Sequence, residues 1–354
     1  MVAEGKTINT NLDSPGPINP DLSGRIYHDE DVDISILKKK TIAVIGYGSQ
    51  GRAQATNMRD SGIHVIVGAS RGSTHGDWAR AKNDKFEVKT IEEAVRAADV
   101  VHVLLPDPAQ PEVYRASIHA NLRKGSTLSF SHGFNVLYGL IQPPPYVDVV
   151  LFVPNAPGPL VRELYLKGSG AYGCVCVDQD VTGKAKQIAL AMAKGVGSTR
   201  IGTIELSSRE ETEGDNFEEQ VLYGGTLHLM RAVFNVLVEN GYPPSFAYSK
   251  AIRSLRSIVD VIDEVGIEGY LRRASRTAEY AVRTRGPRVI NMKEIKEIYE
   301  ETSRGIFAKE WLLEYMAGMP VVHRMRRTEA ESGMETFGKK ARREIRQSAK
   351  KDNA

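Results

Sequence analysis

The chain has 354 residues, of which 41% are hydrophobic and 26% charged, and its formal net charge is +3. A net charge this small excludes recruitment of nucleic acid by overall electrostatics, and the length suggests roughly two domains. No stretch approaches the roughly 20 uninterrupted apolar residues of a membrane span, and the N-terminus lacks a signal-peptide pattern. We therefore expect a cytoplasmic protein with no nucleic-acid or membrane partner.

A glycine-rich turn follows the first apolar strand and is the strongest indication of function. Residues 1–25 mix Gly, Pro, Asn and Asp without periodicity, which predicts a flexible leader. From Thr41 an apolar strand then runs into the sequence Gly46-Tyr47-Gly48-Ser49-Gln50-Gly51. The glycines permit a tight turn and close approach to phosphates, and a helix from about Ser49 would offer its free N–H groups to an anion. With a second strand at Val65–Val67, the pattern predicts dinucleotide binding.

The loop after the second strand bears on the choice of cofactor. No acidic residue ends that strand to hold a ribose 2′-hydroxyl. Ser70, Arg71, Ser73 and Thr74 could instead hold a 2′-phosphate. The loop therefore favours NADPH over NADH.

Apolar strands continue to alternate with helical stretches up to residue 205. They are Val100–Leu105, Thr127–Phe130, Val149–Val153 and Gly173–Val177. This order predicts an α/β domain over residues 26–205, a Rossmann-type doubly wound parallel sheet. Cys174 and Cys176 are the only cysteines, and because two thiols are too few for a metal site, we expect them to pack in the core.

Beyond residue 206 the pattern changes to long amphipathic helices. One apolar stripe comprises Leu227, Met230, Val233, Phe234 and Leu237. The sequence predicts an all-helical domain over residues 206–340, followed by a basic, solvated tail over residues 341–354.

Five segments, including the glycine-rich turn, are together hard to obtain by chance. They are Gly46–Gly51, Leu104–Asp107, Ser131–Asn135, Thr284–Ile290 and Phe307–Trp311. Through them the chain resembles the ketol-acid reductoisomerases of branched-chain amino-acid biosynthesis, from about Tyr27 to Lys340. Its length is similar to the short class (class I), in which the helical domains of two subunits interlock. The resemblance thus implies a knotted or interlocked C-terminal domain and a homodimer or higher homo-oligomer with shared active sites.

The reaction implied by the resemblance moves an alkyl group in a 2-aceto-2-hydroxy acid and then reduces the resulting ketone with NADPH. Two magnesium ions, held by four carboxylates in two pairs spaced i, i+4, activate the substrate. Here the first pair is present as Asp215 and Glu219, whereas Lys250 and Ser254 stand at the second pair. Asn155 replaces a lysine thought to assist proton movement. The residues therefore predict at most one magnesium ion, on Asp215 and Glu219.

The resemblance also supplies the remaining site residues, since His132, Ser275 and Glu279 match active-site positions of the family. The predicted catalytic residues are His132, Asp215, Glu219, Lys250 and Glu279, and the predicted substrate-binding residues are Asn155, Ser254 and Ser275. The predicted cofactor residues are Gly46, Tyr47, Gly48, Ser49, Gln50, Gly51, Ser70, Arg71, Ser73, Leu105, Pro106, Asp107, His132 and Gly158. Asp77 instead favours NADH, because family members with an acidic residue near that position can use NADH.

Two residues carry open alternatives. We hypothesise that the Lys250 ammonium, from the partner subunit, occupies the place of the second metal and pairs with Asp215 or Glu219; alternatively it is a solvated helix residue. His132 either donates a proton to the substrate or is a turn histidine near the cofactor.

Three functions remain open. The leading expectation is an NAD(P)H-dependent reductase of a small polar ketone or imine, in which the isomerase step is lost or weakened. The first alternative is a genuine ketol-acid reductoisomerase of valine and isoleucine biosynthesis, and the second is a non-catalytic dinucleotide-binding protein.

Overall fold

The computed structural model describes residues 24–72 and 76–351. Except for Gly24 and Arg25, the predicted leader lies outside these residues, as do Ser73 and Thr74 of the loop predicted to hold a 2′-phosphate. Along the sequence the described chain divides between Asp215 and Asn216 into two compact units, called here the N-terminal unit and the helical unit.

The N-terminal unit is built on one nine-stranded sheet among the described residues, in the order β1-β9-β8-β7-β6-β5-β2-β3-β4. The strands are β1 Ile26–Tyr27, β2 Thr41–Ile45, β3 His64–Gly68, β4 Glu87–Lys89, β5 Val100–Val103, β6 Thr127–Phe130, β7 Asp148–Pro154, β8 Gly173–Gln179 and β9 Thr203–Glu205. The helices are α1 Ser49–Asp60, α2 Asp77–Asn83, α3 Ile91–Ala97, α4 Gln110–Val113, α5 Phe134–Leu137, α6 Gly158–Leu166, α7 Ala185–Val196 and α8 Ser208–Phe217.

The central strands are apolar because the sheet is covered on both faces. Ile42 to Ile45 are fully buried, and two separate apolar clusters lie on the two sides of the sheet. Strand β2 pairs in parallel with β3 on one side and with β5 on the other. The strand order therefore reverses next to β2, which is where open α/β sheets form their ligand crevice.

The sheet is mixed, because β8 departs from the parallel arrangement of the predicted doubly wound sheet. This strand runs antiparallel to β7, with Gly173 opposite Pro154, and β1 likewise runs antiparallel to β9. Between β7 and β8, α6 packs against α1 instead of crossing the sheet, so the chain re-enters the sheet at the end where it left. Sequence pattern misses this because a fully buried strand is equally apolar in either direction.

The N-terminal unit extends about ten residues beyond the predicted boundary at residue 205. The first turns of α8 pack on the loop after β6, where the Gly133 N–H donates to Glu211 Oε2 at 3.3 Å. A side chain at Gly133 would collide with Thr212 Oγ1. Glycine is therefore required for α8 to approach this loop.

The helical unit contains eight α-helices among the described residues. They are α9 Gly224–Glu239, α10 Pro244–Tyr248, α11 Ser254–Arg273, α12 Arg276–Arg285, α13 Met292–Ser303, α14 Ile306–Met316, α15 Pro320–Ala330 and α16 Gly333–Lys351. Two π-helical segments, Glu218–Tyr223 and Ser249–Arg253, precede α9 and α11. The last helix continues through residue 341, where a separate basic tail was predicted.

The helical unit buries little of its predicted apolar stripe within one chain. Phe234 is buried, whereas Leu227 is 60% exposed. The continuous helix Ser208–Glu239 is long and apolar enough to cross a membrane by length and composition alone, and little of its most apolar stretch is buried. A single helix of this kind is weak support for a membrane span.

Gly158→Ala should destabilise the N-terminal unit, because a β-carbon at Gly158 would collide with the backbone of Ser49 at the start of α1. We expect the free energy of unfolding to fall by about 1–3 kcal/mol, measured by urea denaturation. Gly214→Ala is the control, since a β-carbon there meets nothing within 4 Å and alanine favours a helix. Equal stability of Gly158→Ala and the wild type would contradict the close packing of α6 on α1.

Candidate functional site

A cavity of about 520 Å³ lies at the carboxyl ends of β2, β5 and β6. It is lined by the glycine-rich turn, by the loops after β5 and β6, and by one turn of α2. The residues are Gly46, Gly48, Ser49, Gln50, Asp77, Arg80, Val103, Leu104, Leu105, Pro106, Asp107, Gln110, Ser131 and His132. The structure thus brings together eight of the predicted cofactor residues: Gly46, Gly48, Ser49, Gln50, Leu105, Pro106, Asp107 and His132.

The glycine-rich turn has the geometry of a phosphate cradle. Gly46 adopts φ +94°, and a side chain at Gly51 would collide with the Gly46 carbonyl, so α1 begins directly against the end of β2. A β-carbon at Gly48 would meet nothing within 4 Å, which leaves the turn open on the cavity side. Because Gly48 also caps α1 without a side chain, the first-turn N–H groups are available to an anion.

Tyr47 contributes its backbone rather than its ring to this site. Its N–H donates to Asp77 Oδ2 at 3.2 Å, and its carbonyl accepts from Arg80 Nη2 at 3.3 Å. The Tyr47 hydroxyl points away and donates to Asp84 Oδ2 at 2.9 Å. Burial and this hydrogen bond raise the pKa of Tyr47. Asp77, which also pairs with Arg80, is therefore engaged in holding the turn.

His132 lies between two carboxylates at the cavity. Its Nδ1 is 2.7 Å from Asp107 Oδ2, and its Nε2 is 3.6 Å from Asp215 Oδ2. Burial alone would lower the pKa of His132, but the hydrogen bond and charge of Asp107, with Glu211 and Asp215, raise it to about 9. The ring is therefore a cation at neutral pH. Its Nε2 is buried and has no hydrogen-bond partner among the described residues, which leaves one donor for a ligand.

Glu211 completes this group and was missed by the sequence analysis. It is 5% exposed, and its Oε2 accepts from the Gly133 N–H and from Thr212 Oγ1. Burial raises the pKa of Glu211 to about 7. The sequence contains one indication of its role, because Glu211 stands one helical turn before Asp215 and therefore lies on the same face of α8. A cationic imidazole beside a carboxyl that titrates near neutrality can hold and release a proton at the cavity.

Three other predicted cofactor residues lie away from this cavity. Ser70 and Arg71 are exposed after β3, and the Arg71 guanidinium carbon is 5.3 Å from the centre of the Trp78 ring. Gly158 lines a second cavity of about 730 Å³ and supports Ser49 from behind. Asn155 is exposed and donates its backbone N–H to the Tyr172 carbonyl, and it does not line the first cavity.

Glu219, Lys250 and Ser254 belong to the helical unit. Glu219 lies in the π-helical segment Glu218–Tyr223, and Lys250 lies in the segment Ser249–Arg253. The Lys250 ammonium lies 5.4 Å from the centre of the Phe246 ring. Ser254 is exposed at the start of α11. The proposed pairing of Lys250 with Asp215 or Glu219 across subunits stays a prediction.

Ser275 and Glu279 lie together at the start of α12 in the helical unit. Ser275 caps this helix, and its hydroxyl accepts from the Ala278 N–H at 3.2 Å. Glu279 accepts from Arg283 Nε at 3.2 Å, one turn further along. Both side chains therefore have structural contacts within α12.

The chain has one of the two carboxylate pairs that the resemblance implies for magnesium, Asp215 and Glu219. The described residues hold no group of three or more His, Cys, Asp or Glu side chains arranged for a metal. At the second predicted pair, Lys250 supplies a cation and Ser254 a neutral hydroxyl, whereas magnesium is bound through carboxylates. By contrast, the glycine-rich turn and its cavity fit the pyrophosphate and ring of a nicotinamide dinucleotide.

The chain is similar over nearly its whole length to proteins of one family. Residues 36–202 match the family model described as acetohydroxy acid isomeroreductase, NADPH-binding domain, and residues 209–347 match that of the ketol-acid reductoisomerase C-terminal domain. A protein of Methanopyrus kandleri named ketol-acid reductoisomerase (NADP(+)) is 51% identical over 320 residues, covering 90% of this chain and 98% of the relative. A protein of the same name from Methanocaldococcus jannaschii is 49% identical over 323 residues, covering 90% and 97%. Among solved structures, an NADH-preferring ketol-acid reductoisomerase from an uncultured archaeon is 44% identical, with a TM-score of 0.86 over 90% of this chain and 98% of that one.

The charge on His132 should make stability depend on pH. Histidine titrates near 6.5 in an unfolded chain and here at about 9, so the stabilisation is complete below about pH 6.5 and is lost as the pH rises to about 9. The loss in unfolding free energy should reach about 3 kcal/mol, measured by urea unfolding across that range.

Asp107→Asn is the matched variant for this pH dependence. The variant removes the negative charge that raises the pKa of His132 against the effect of burial. The decline in unfolding free energy between about pH 6.5 and 9 should therefore become much shallower. An unchanged slope in Asp107→Asn would contradict the assignment of the raised pKa to Asp107.

Proposed function

This chain belongs to the ketol-acid reductoisomerase family, and on that premise we propose that it is an NADPH-dependent ketol-acid reductoisomerase. It would convert a 2-aceto-2-hydroxy acid into a 2,3-dihydroxy acid in the cytoplasm. The curated relatives at 48–51% identity carry this name. The loss of isomerisation expected from the sequence receives no support from them, and it becomes the second candidate.

The observation that carries the proposal is the position of His132, which lines the dinucleotide-type cavity with its Nδ1 2.7 Å from Asp107 Oδ2. When bound, NADPH supplies the hydride. The glycine-rich turn would hold its pyrophosphate, and Leu105 and Pro106 would border its ring. His132, oriented by Asp107, would donate a hydrogen bond or proton to the substrate oxygen as negative charge develops there. Glu211, with a pKa near neutrality, could resupply the proton.

The preference for NADPH rests on the loop after β3. Arg71 is exposed beside Trp78, where its guanidinium can reach a 2′-phosphate. Asp77, the residue that would favour NADH, is engaged by Tyr47 and Arg80. One structural relative prefers NADH, so the affinities for both cofactors should be measured.

A reductase without the isomerase step is the second candidate, favoured by specific residues. Lys250 and Ser254 stand where the resemblance implies magnesium carboxylates, and Asn155 stands where it implies a lysine. Hydride transfer and the His132 group need none of these positions. Such an enzyme would reduce the migrated ketone, or another small ketone or imine, without metal.

A second copy of the chain is the expected partner. Leu222, Leu227 and Val236 are 58%, 60% and 56% exposed along one apolar helix of the helical unit. Exposed apolar surface of this extent marks an interaction site, and the family resemblance implies a homodimer that shares its active sites.

One assay separates the candidate functions. We would follow NADPH and NADH oxidation with 2-acetolactate and with 3-hydroxy-3-methyl-2-oxobutanoate, each with magnesium and with a chelator. The proposal expects turnover of 2-acetolactate only with magnesium. Metal-independent reduction of the second compound alone would establish the reductase instead. Cofactor binding with no turnover of either compound would overturn the reductoisomerase proposal, and it would leave the reductase of another ketone or imine and the non-catalytic alternative.

Arg71→Ala tests the cofactor assignment. We expect the dissociation constant for NADPH to rise about tenfold, because one charge-assisted bond to the 2′-phosphate is lost, while that for NADH stays unchanged. Isothermal titration calorimetry measures both. Arg115→Ala, at another exposed arginine of the N-terminal unit, controls for the loss of surface charge. Equal NADPH affinity of wild type and Arg71→Ala would make Arg71 an ordinary surface residue.

A further inference from the structure

A chain of buried hydrogen bonds lies beneath the start of α1, and the chemistry proposed above does not use it. His102 on β5, Gln54 on α1 and Ser129 on β6 are all fully buried. The His102 Nδ1 atom is 3.0 Å from Ser129 Oγ, and its Nε2 atom is 2.9 Å from Gln54 Oε1. The other three residues of β5 are valines, so the apolar core does not call for a histidine here.

Two backbone carbonyls fix which atom donates and which accepts in each hydrogen bond of this network. The Ala156 carbonyl only accepts, so Gln50 donates to it from Nε2, at 2.8 Å, and turns its own Oε1 towards Gln54. The Phe152 carbonyl likewise accepts from Ser131 Oγ at 2.7 Å. Gln54 Nε2 therefore donates both of its hydrogens, to Gln50 at 3.1 Å and to Ser131 at 3.0 Å.

These donor and acceptor roles determine the tautomer of His102. Because both Gln54 hydrogens are used, Gln54 Oε1 must accept from His102 Nε2–H. Burial lowers the pKa of His102 to about 3, so the ring is neutral and its Nδ1 accepts from the Ser129 hydroxyl. The opposite tautomer would set two lone pairs against each other in a fully buried place, which is costly.

Two members of this chain of hydrogen bonds, Gln50 and Ser131, line the cavity. Gln50 is the second residue of α1, in the turn whose N–H groups face the phosphate position. Ser131 lines the cavity directly before His132, and Ala156 lies in the loop after β7. The network therefore ties two segments that border the cavity, the start of α1 and the loop after β6, and also the loop after β7 to one buried imidazole.

We propose that His102 is a positioning residue for the cofactor. By donating from Nε2 it fixes the Gln54 amide, and through Gln54 it holds Gln50 and Ser131 in the arrangement that binds the dinucleotide. This inference rests on the proposed function in one respect, since it takes the cavity to bind a nicotinamide dinucleotide.

The test is the dissociation constant for NADPH, measured by cofactor fluorescence on the full-length protein. His102→Met removes the donor at similar volume, and we expect binding to weaken about tenfold. His102→Gln restores an amide donor and should recover most of the affinity. Thr127→Val is the matched control, because it removes a buried hydroxyl with no hydrogen-bond partner among the described residues, at the opposite end of β6; its affinity should match the wild type.

A double variant distinguishes positioning from general loosening of the fold. If His102 acts through Gln54, His102→Met combined with Gln54→Met should weaken NADPH binding no more than either change alone. Additive losses, wild-type affinity in His102→Met, no recovery in His102→Gln, or an equal loss in Thr127→Val would each overturn the proposal.

The tautomer of His102 can be measured in the wild type, independently of whether a variant folds. Nitrogen-15 NMR of the histidine rings should show His102 neutral and protonated at Nε2, and protonation at Nδ1 would overturn the proposal. A wild type that binds NADPH but reduces neither keto acid refutes the proposed function and leaves this inference standing. A wild type that binds neither dinucleotide overturns both.

Discussion

The close approach of Gly51 to the Gly46 carbonyl is the contact on which the rest of the N-terminal unit depends. No side chain fits between them, so the first turn of α1 rests directly on the end of β2. Gly158 supports the same turn from α6, at Ser49. The helix start is thus held by backbone contacts on two sides, and its N–H groups meet the loops after β5 and β6 at a single cavity.

Charge at that cavity is arranged around one cation. His132 lies against Asp107 and Asp215, and these carboxylates outweigh the cost of burying the imidazolium. For Glu211 burial is the larger effect. It raises the pKa more than His132 and the hydrogen bonds lower it, so the carboxyl is partly protonated near neutral pH. Two neighbouring groups whose pKa values are shifted by different causes can act as acid and as proton reservoir, which suits the reduction of a carbonyl.

Family membership and local chemistry differ on one point. The relatives carry the name of the complete reductoisomerase, whereas Lys250 and Ser254 stand where the resemblance implies two of the carboxylates that hold magnesium. The dinucleotide-type cavity and the His132 group lie within the N-terminal unit, whereas Glu219, Lys250 and Ser254 belong to the helical unit. Asp215 belongs to both sets, because it lies beside His132 and is also one of the predicted magnesium ligands.

The sequence by itself determined what local spacing encodes. The strand before Gly46, the helix start at Ser49 and the all-helical second half were predicted correctly, because periodicity and turn chemistry are properties of neighbouring residues. The family was predicted correctly from the resemblance of five short segments to its signatures. The antiparallel β8, the burial of Glu211 and the network around His102 were decided only by the tertiary structure. Each depends on segments far apart in sequence, and a pKa or a tautomer is set by the burial and hydrogen-bond partners that those segments supply.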